Sequence, residues 1–475
     1  MAFYDRTREL AMLDEQYSRP GGQLFVMYGR RRVGKTVLLA HWLQIRGHRA
    51  IFWTADQTSA VALLRSFSQA VQAFRMPGAQ VPPEFDFGNW ELALLEVARL
   101  AGDEQLVLVL DEFTYLFEAE SAITSLLQRL WDHQLKHTQV MLVITGSQAG
   151  MIEREVLSAR APLYQRATRH LRLRPLPYGV LHEFLPEYSA EDRVTIYGCV
   201  GGVPSYLELL EPRHNLETNL RRLLDSSLIL DDAAALLRDQ LDEPRNYVAI
   251  VSAIAAGYLR VTEIAKMSGL SDTATAKYLT VLQNLGIVER QVPATVSRPE
   301  HSKSGRYQIV DHYLRFYYRF IAPARSLLEQ GLTAQVWANL RQHLPEFIGK
   351  HIFEELCREW VLRQADVGKL PFLPRRVGAY WGKGAPEIDV VAVNEDEHQV
   401  LMGECKWTRA PVDRATVQRF MAQATRVLAE TSDERWRVSY AVFSKSGFTG
   451  EAERLGGTKV HWITLAQLDE DMRVA

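Results

Sequence analysis

The chain has 475 residues, 47% of them apolar and 24% charged, with a net charge of −2. That length exceeds one ordinary core and points to about two to four domains, and the near-neutral balance excludes a chain that binds polyanions through its overall charge. Its three cysteines, Cys199, Cys357 and Cys405, are too dispersed for a disulfide framework or a zinc site. With no apolar leader and no run of roughly 20 apolar residues, a cytoplasmic protein without a membrane partner is expected.

In chain order, residues 23–27 read as a strand, 35–45 as a helix, and 50–54, 106–110 and 140–144 as further strands. Strand–helix alternation of this kind predicts a parallel sheet with helices on both faces, the frame of a P-loop NTPase. Between the first strand and its helix stands G-x-x-x-x-G-K-T, with Gly29, Gly34, Lys35 and Thr36 at the fixed positions. The glycines let successive N–H groups surround phosphate oxygens, and the helix aims its positive end at the same anion. Lys35 reaches the β and γ phosphates of ATP, and the Thr36 hydroxyl helps hold Mg2+.

The run LVLVLDEF ends a buried strand in two carboxylates, at the sheet edge where ligands collect. Asp111 is the candidate magnesium ligand and Glu112 the group that polarises an attacking water, which favours a hydrolase over a kinase. Ser147, ending the strand VMLVITG, is placed to sense the γ-phosphate. These pieces, together with Phe3, Arg6 and Glu9 before the first strand, resemble the archaeal-type ATPase family of the AAA+-related STAND lineage. The similarity continues through APLYQRATRHLRLRPL and YGCVGGVPSYLELL. It implies that Gly201, Gly202 and Pro204 belong to a helical lid near the nucleotide. It also implies a phosphate-sensing or trans-acting arginine, Arg166, with Arg160 and Arg169 as rivals. AAA+-like sites often borrow such an arginine from a neighbour, so a homo-oligomer is expected.

Past residue 177 the pattern turns helical, at 178–185, 190–199, 205–210 and 216–230. A winged helix-turn-helix follows: a helix ending at Gly257, a second at 263–268 capped by Thr262, a turn at Gly269 and Leu270, and a third helix to Leu285. A β wing then starts at Ile287. Ser271, Thr273, Thr275 and Lys277 are the candidate groove-facing residues, and Arg298, Lys303 and Arg306 make the wing side basic, so DNA is the expected partner.

Residues 387–393 and 399–406 read as two strands around a polar turn. Pairing Val393 with Gln399 sets Asp389 opposite Gly403, one residue from Glu404, and alternation puts Glu404 and Lys406 on one face. Two carboxylates beside an ammonium suit metal-assisted phosphodiester cleavage, with Asp389 and Glu404 as magnesium ligands and Lys406 stabilising charge on phosphorus. Upstream, Glu354 is a further ligand, with Glu355 its rival; downstream, Gln418 is a supporting residue. Asp389, Glu404 and Lys406 in D-x14-E-x-K after a helical Glu resemble the PD-(D/E)XK nuclease superfamily, with Ile388 replacing the nominal proline.

The expected organisation is therefore an ATPase core at 1–175, a helical lid at 176–240, a winged helix-turn-helix with connector at 241–335, and an α/β restriction-endonuclease-like domain at 336–475. The expected function is ATP binding and hydrolysis coupled to DNA binding and Mg-dependent DNA cleavage. Its alternative is an ATP-dependent regulatory switch whose nuclease-like domain does not cut.

Overall fold

The computed structural model describes residues 3–238, 241, 243–382, 384, 386–431, 436–456 and 460–473. Residue 240, where the lid was expected to end, lies outside the described residues. Contacts divide the chain into two compact units, Met1–Leu176 with Val203–Ser205 and Arg238–Asp242, and the remainder.

The first unit is built on five parallel strands, β1 (Gln23–Tyr28), β2 (Ala50–Thr54), β3 (Leu106–Asp111), β4 (Val140–Gly146) and β5 (Arg169–Arg172), in the order β2-β3-β4-β1-β5. Every residue of β1, β3 and β4 is buried, because helices cover both faces of a parallel sheet. Leu24, Val26, Leu108 and Leu110 pack toward Phe67 and Trp90, whereas Phe25, Met27 and Val109 pack toward Leu38, Leu39 and Trp42. The strand β5 went unread in the sequence. Its residues RHLR are mostly charged, and as an edge strand it buries only alternate side chains partway.

In the second unit the helix expected at 216–230 is two, Leu216–Leu224 and Ser227–Arg238. The break falls at Asp225, whose carboxylate accepts the Thr333 hydroxyl. The helix-turn-helix consists of Arg245–Ala255, Val261–Ser268 and Asp272–Asn284, followed by the wing strands β6 (Val288–Gln291) and β7 (Arg306–Ile309). Thr262 is not the cap. The second helix starts two residues earlier, at Val261 with Arg260 at its N-cap, and Glu263 accepts the backbone N–H of Leu259 and of Arg260, each at 3.2 Å. Thr275 does not face outward either: four residues before Leu279, it shares that residue's buried face.

The C-terminal sheet contains β8 (Arg376–Tyr380), β9 (Ile388–Asn394), β10 (Gln399–Lys406), β11 (Arg437–Ser444) and β12 (Val460–Thr464), in the order β12-β11-β10-β9-β8. Strands β8, β9 and β10 are antiparallel neighbours; β10, β11 and β12 run parallel. The helix Arg414–Thr431 supplies the crossover from β10 to β11. A buried cluster ties the lid helices to the C-terminal helix: Arg193 donates to Asp469 at 2.5 and 3.2 Å, and Tyr178 donates to the same carboxylate.

Candidate functional sites

The segment between β1 and the helix Lys35–Arg46 is shaped by its glycines. A Cβ on Gly29 would sit 2.3 Å from the Leu173 carbonyl oxygen at the end of β5, and Gly34 starts the helix at φ 92°. Gly34 also lies against Pro204, whose Cγ would be 3.9 Å from an added Cβ. Gly202, two residues earlier, belongs to the second unit.

Around this loop the polar residues close into a ring. Thr36 donates to Asp111 at 2.9 Å, and Thr145 donates to the other oxygen of Asp111 at 2.5 Å while accepting the Glu112 N–H at 3.1 Å. Ser147 donates to Glu112 at 2.5 Å and accepts from Lys35 Nζ at 2.8 Å, which returns the ring to its start. Lys35 also donates to the Gly29 and Arg30 carbonyls at 3.1 and 3.2 Å. Burial pushes the Lys35 pKa down, and Glu112 and Asp111 act against that shift. Glu112 sits at φ 52°, a left-handed conformation that a glutamate holds only where surrounding contacts impose it. Thr36 and Asp111 present hard oxygen donors of the kind magnesium takes.

Two contributors were missed or underread. Thr145 is fully buried in an otherwise aliphatic strand, and that isolated hydroxyl was its only signal. Arg6 donates to the Val33 carbonyl inside the phosphate loop at 3.1 Å, to the Arg174 carbonyl at 2.8 Å and to Glu9 at 3.0 Å. Among the described residues it is one of few non-glycines at positive φ, 72°.

Arg166 is a correction. It makes a two-pronged bond to Asp132 at 2.7 and 2.9 Å and also donates to the Pro162 carbonyl. The parallel register aligns Phe25 with Arg169, so Arg166 precedes β5 at the N-terminal edge of the sheet, away from the loop that follows Tyr28. That placement sets Arg166 apart from the phosphate loop of its own chain. Arg169 stands early in β5, and Arg160 is exposed.

The C-terminal hairpin has a different register from the one expected. Val393 pairs with Val400 and Val390 with Gly403, so continuing the ladder sets Asp389 across from Glu404 itself. Directly opposed residues of an antiparallel pair share a face, about 5 Å apart at Cβ. Asp389 accepts the Cys405 N–H at 2.8 Å, and Lys406 pairs with Glu404. Burial and then the Asp389 charge raise the Glu354 pKa to about 8, while burial and then Glu404 raise Asp389 to about 6. Burial opposes the Lys406 charge, but Glu404 outweighs it and the ammonium is held more firmly. Glu355, the rival of Glu354, is taken by Arg315 at 3.0 Å, and its pKa is driven down despite burial. Gln418 is exposed and lines a separate surface pocket with Asp413 and Glu451.

The donor chemistry here, buried carboxylates raised by one another, fits a hard divalent cation. Among the described residues, however, no three or more His, Cys, Asp or Glu side chains are grouped to hold a metal ion. Nor does any described helix have the length and apolarity to cross a membrane.

Fold and phosphate loop together define a P-loop ATPase domain. Residues 3–210 match the description "ATPase domain predominantly from Archaea", 252–292 match the IclR helix-turn-helix domain, and 317–419 match DUF234, archaeal and bacterial proteins of unknown function. An uncharacterised protein of Methanocaldococcus jannaschii, MJECL04, is 32% identical over 411 residues, covering 85% of this chain and 87% of the relative. The chain belongs to the same archaeal-type ATPase family as that protein. Among solved structures, the ORC2 protein of Aeropyrum pernix is similar at 14% identity and a TM-score of 0.42, over 69% of this chain and 96% of that one. The RuvB branch migration motor of Thermotoga maritima is similar at 17% identity and a TM-score of 0.32, over 61% of this chain and 90% of that one. Likeness this remote transfers no function.

Proposed function

We propose that this chain binds and hydrolyses ATP at the Gly29–Thr36 loop and that nucleotide state governs a DNA-directed second unit able to cleave phosphodiesters. The observation that carries the first part is the closed ring joining Lys35, Thr36, Asp111, Thr145, Glu112 and Ser147. In it Lys35 is held for the β and γ phosphates, and Thr36 and Asp111 would hold Mg2+, which neutralises phosphate charge. Glu112 orients a water toward the γ-phosphorus and takes its proton as the bond to the β-phosphate oxygen breaks. Ser147, between Lys35 and Glu112, reports the γ-phosphate to both. Gly202, with Gly201 and Pro204, forms the nucleotide-facing lid, and Arg166 serves a neighbouring subunit of a homo-oligomer. In this reading the chain comprises an ATPase core, a helical lid, a winged helix-turn-helix and a nuclease-like domain.

Support for cleavage comes from Asp389 opposite Glu404, with Lys406 on the same face and Glu354 brought to them by its helix. A divalent ion held by these carboxylates would acidify a water and offset charge on the phosphodiester. The water oxygen bonds to phosphorus as its proton passes to a carboxylate, Lys406 steadies the negative oxygens on phosphorus, and the bond to the leaving oxygen breaks, a solvent proton completing the hydroxyl end. The regulatory-switch alternative draws on the pairing of Glu404 with Lys406 and on the lack, among the described residues, of three ligating side chains grouped to hold a metal ion.

Glu112→Gln should slow ATP turnover at least 100-fold while ATP stays bound; turnover at the wild-type rate would remove Glu112 from its role. Wild type and Asp389→Ala should be compared on single-stranded, duplex and branched DNA in magnesium and manganese. Equal cleavage by both, or none by either, favours the switch.

A further inference from the structure

The wing of the helix-turn-helix, residues 292–305, lies against the outer strand of the C-terminal sheet. Ala294 N–H donates to the Ala379 carbonyl at 2.9 Å, and Arg376 Nε donates to the Ala294 carbonyl at 2.9 Å. Trp381 Nε1 donates to the Ser304 carbonyl at 2.9 Å. Arg306, at the start of β7, pairs with Glu387 at 2.6 Å and lies over the Trp381 ring, 4.7 Å from its centroid.

Behind these fastenings is a cavity of about 100 Å³. Leu259, Arg306 and Tyr307 of the winged helix wall one side, and Glu354, Glu387 and Asp389 the other. That space holds a few waters; small-molecule sites begin at roughly 300 Å³, and a polynucleotide strand needs more. Covering the free edge of β8 would explain the backbone bonds between wing and sheet. It does not explain the side-chain latch of Arg306 on Glu387 and Trp381, which sits at the cavity rim. Of the three wing-side cations expected to meet DNA, Arg306 is thus engaged within the chain, whereas Arg298 and Lys303 are exposed.

We propose that the wing, with its strands β6 and β7, is a lid on the carboxylate cavity, and that a nucleic-acid strand reaches Glu354 and Asp389 there only when the wing leaves β8. Arg306 then exchanges Glu387 for a phosphate of the entering strand. The inference rests on the phosphodiesterase reading of that cavity, and the test separates the two.

A Cβ on Gly378 would lie 3.4 Å from the Ala294 Cβ, close to the ~3.8 Å of a disulfide. The full-length double variant Ala294→Cys, Gly378→Cys can therefore be stapled shut by oxidation and released by reductant. Cleavage of a labelled single-stranded oligonucleotide is followed in manganese, and its binding by anisotropy in calcium. Oxidation should weaken both at least tenfold, reductant should restore both, and oxidised wild type should be unaffected. ATP turnover should be equal in the two redox states. Glu387→Ala, which opens the latch without a staple and leaves Arg306 free for the strand, should raise cleavage about threefold or more. Equal calcium-dependent binding by the oxidised and reduced forms overturns the lid, whatever the cleavage result. Absence of cleavage in every form, with a binding contrast intact, rejects the phosphodiesterase reading and retains the lid.

Discussion

Two pairs of acids end strands in this molecule, and their surroundings are opposite. At the end of β3, Asp111 and Glu112 receive hydrogen bonds from Thr36, Thr145 and Ser147, and Lys35 lies behind them. At the junction of β9 and β10, Asp389 and Glu404 face one another, with one backbone N–H, Lys406 and Arg358 to offset them, and Glu354 adds a third carboxyl group. The first site is organised in advance by neutral donors, so its geometry precedes its ligand. The second holds like charges together, and a cation would release the resulting tension.

The largest effect expected from breaking this contrast is at Lys35. Lys35→Ala removes the bonds to Gly29, Arg30 and Ser147 together and should weaken ATP binding at least 100-fold by titration calorimetry. Next is Arg6→Ala, which leaves the buried Val33 carbonyl and the partly buried Arg174 carbonyl without this donor. Unsatisfied buried groups cost about 1–3 kcal/mol each, so the first unit should unfold several degrees earlier in calorimetry, with ATP affinity falling roughly tenfold. A loss of stability with unchanged affinity would mean that Arg6 braces the fold and not the loop.

The second site has a pH signature in protein stripped with chelator. Glu354 and Asp389 are shifted upward, to about 8 and about 6, chiefly by burial. Through these two groups the unfolded chain binds fewer protons than the folded one, so their contribution to stability falls as pH rises; His351, which burial drives down to about 3, acts the other way below about pH 6.5, so the decline stands out between roughly pH 6.5 and pH 8. Denaturant midpoints should show this decline, and added magnesium or manganese should flatten it; a flat profile in chelator would mean that the carboxylates are not forced together. The smallest effect is Asp389→Asn, which removes one of two directly opposed like charges. Metal-free protein should gain about 0.5–1 kcal/mol, whereas Asp111→Asn, in a site already balanced, should gain nothing.

Much of the first site was legible because its parts are contiguous. A glycine-rich octapeptide between an apolar run and a helical pattern dictates its own backbone, and two acids after five aliphatic residues can emerge only at a strand end. The second site was legible in composition and not in register. Pairing Val393 with Gln399 and not Val400 is a one-residue error, and the polar turn gave no local signal to prevent it. Glu354 and Glu355 are equal in the sequence; Arg315, forty residues away, decides between them by claiming Glu355. Thr275 was misplaced because a short helix with a weak apolar face leaves its inward side ambiguous.

By itself, the sequence determined the phosphate loop, the strand-end acids, the helix-turn-helix and the acid–lysine hairpin, since each is written within a few consecutive residues and obeys local backbone rules. Tertiary structure alone decided that Arg166 belongs to Asp132, that Arg6 reaches Val33, that Asp389 faces Glu404, and that the wing rests on β8. Such choices depend on strand pairing and on which distant charge arrives first, and no short segment carries that information.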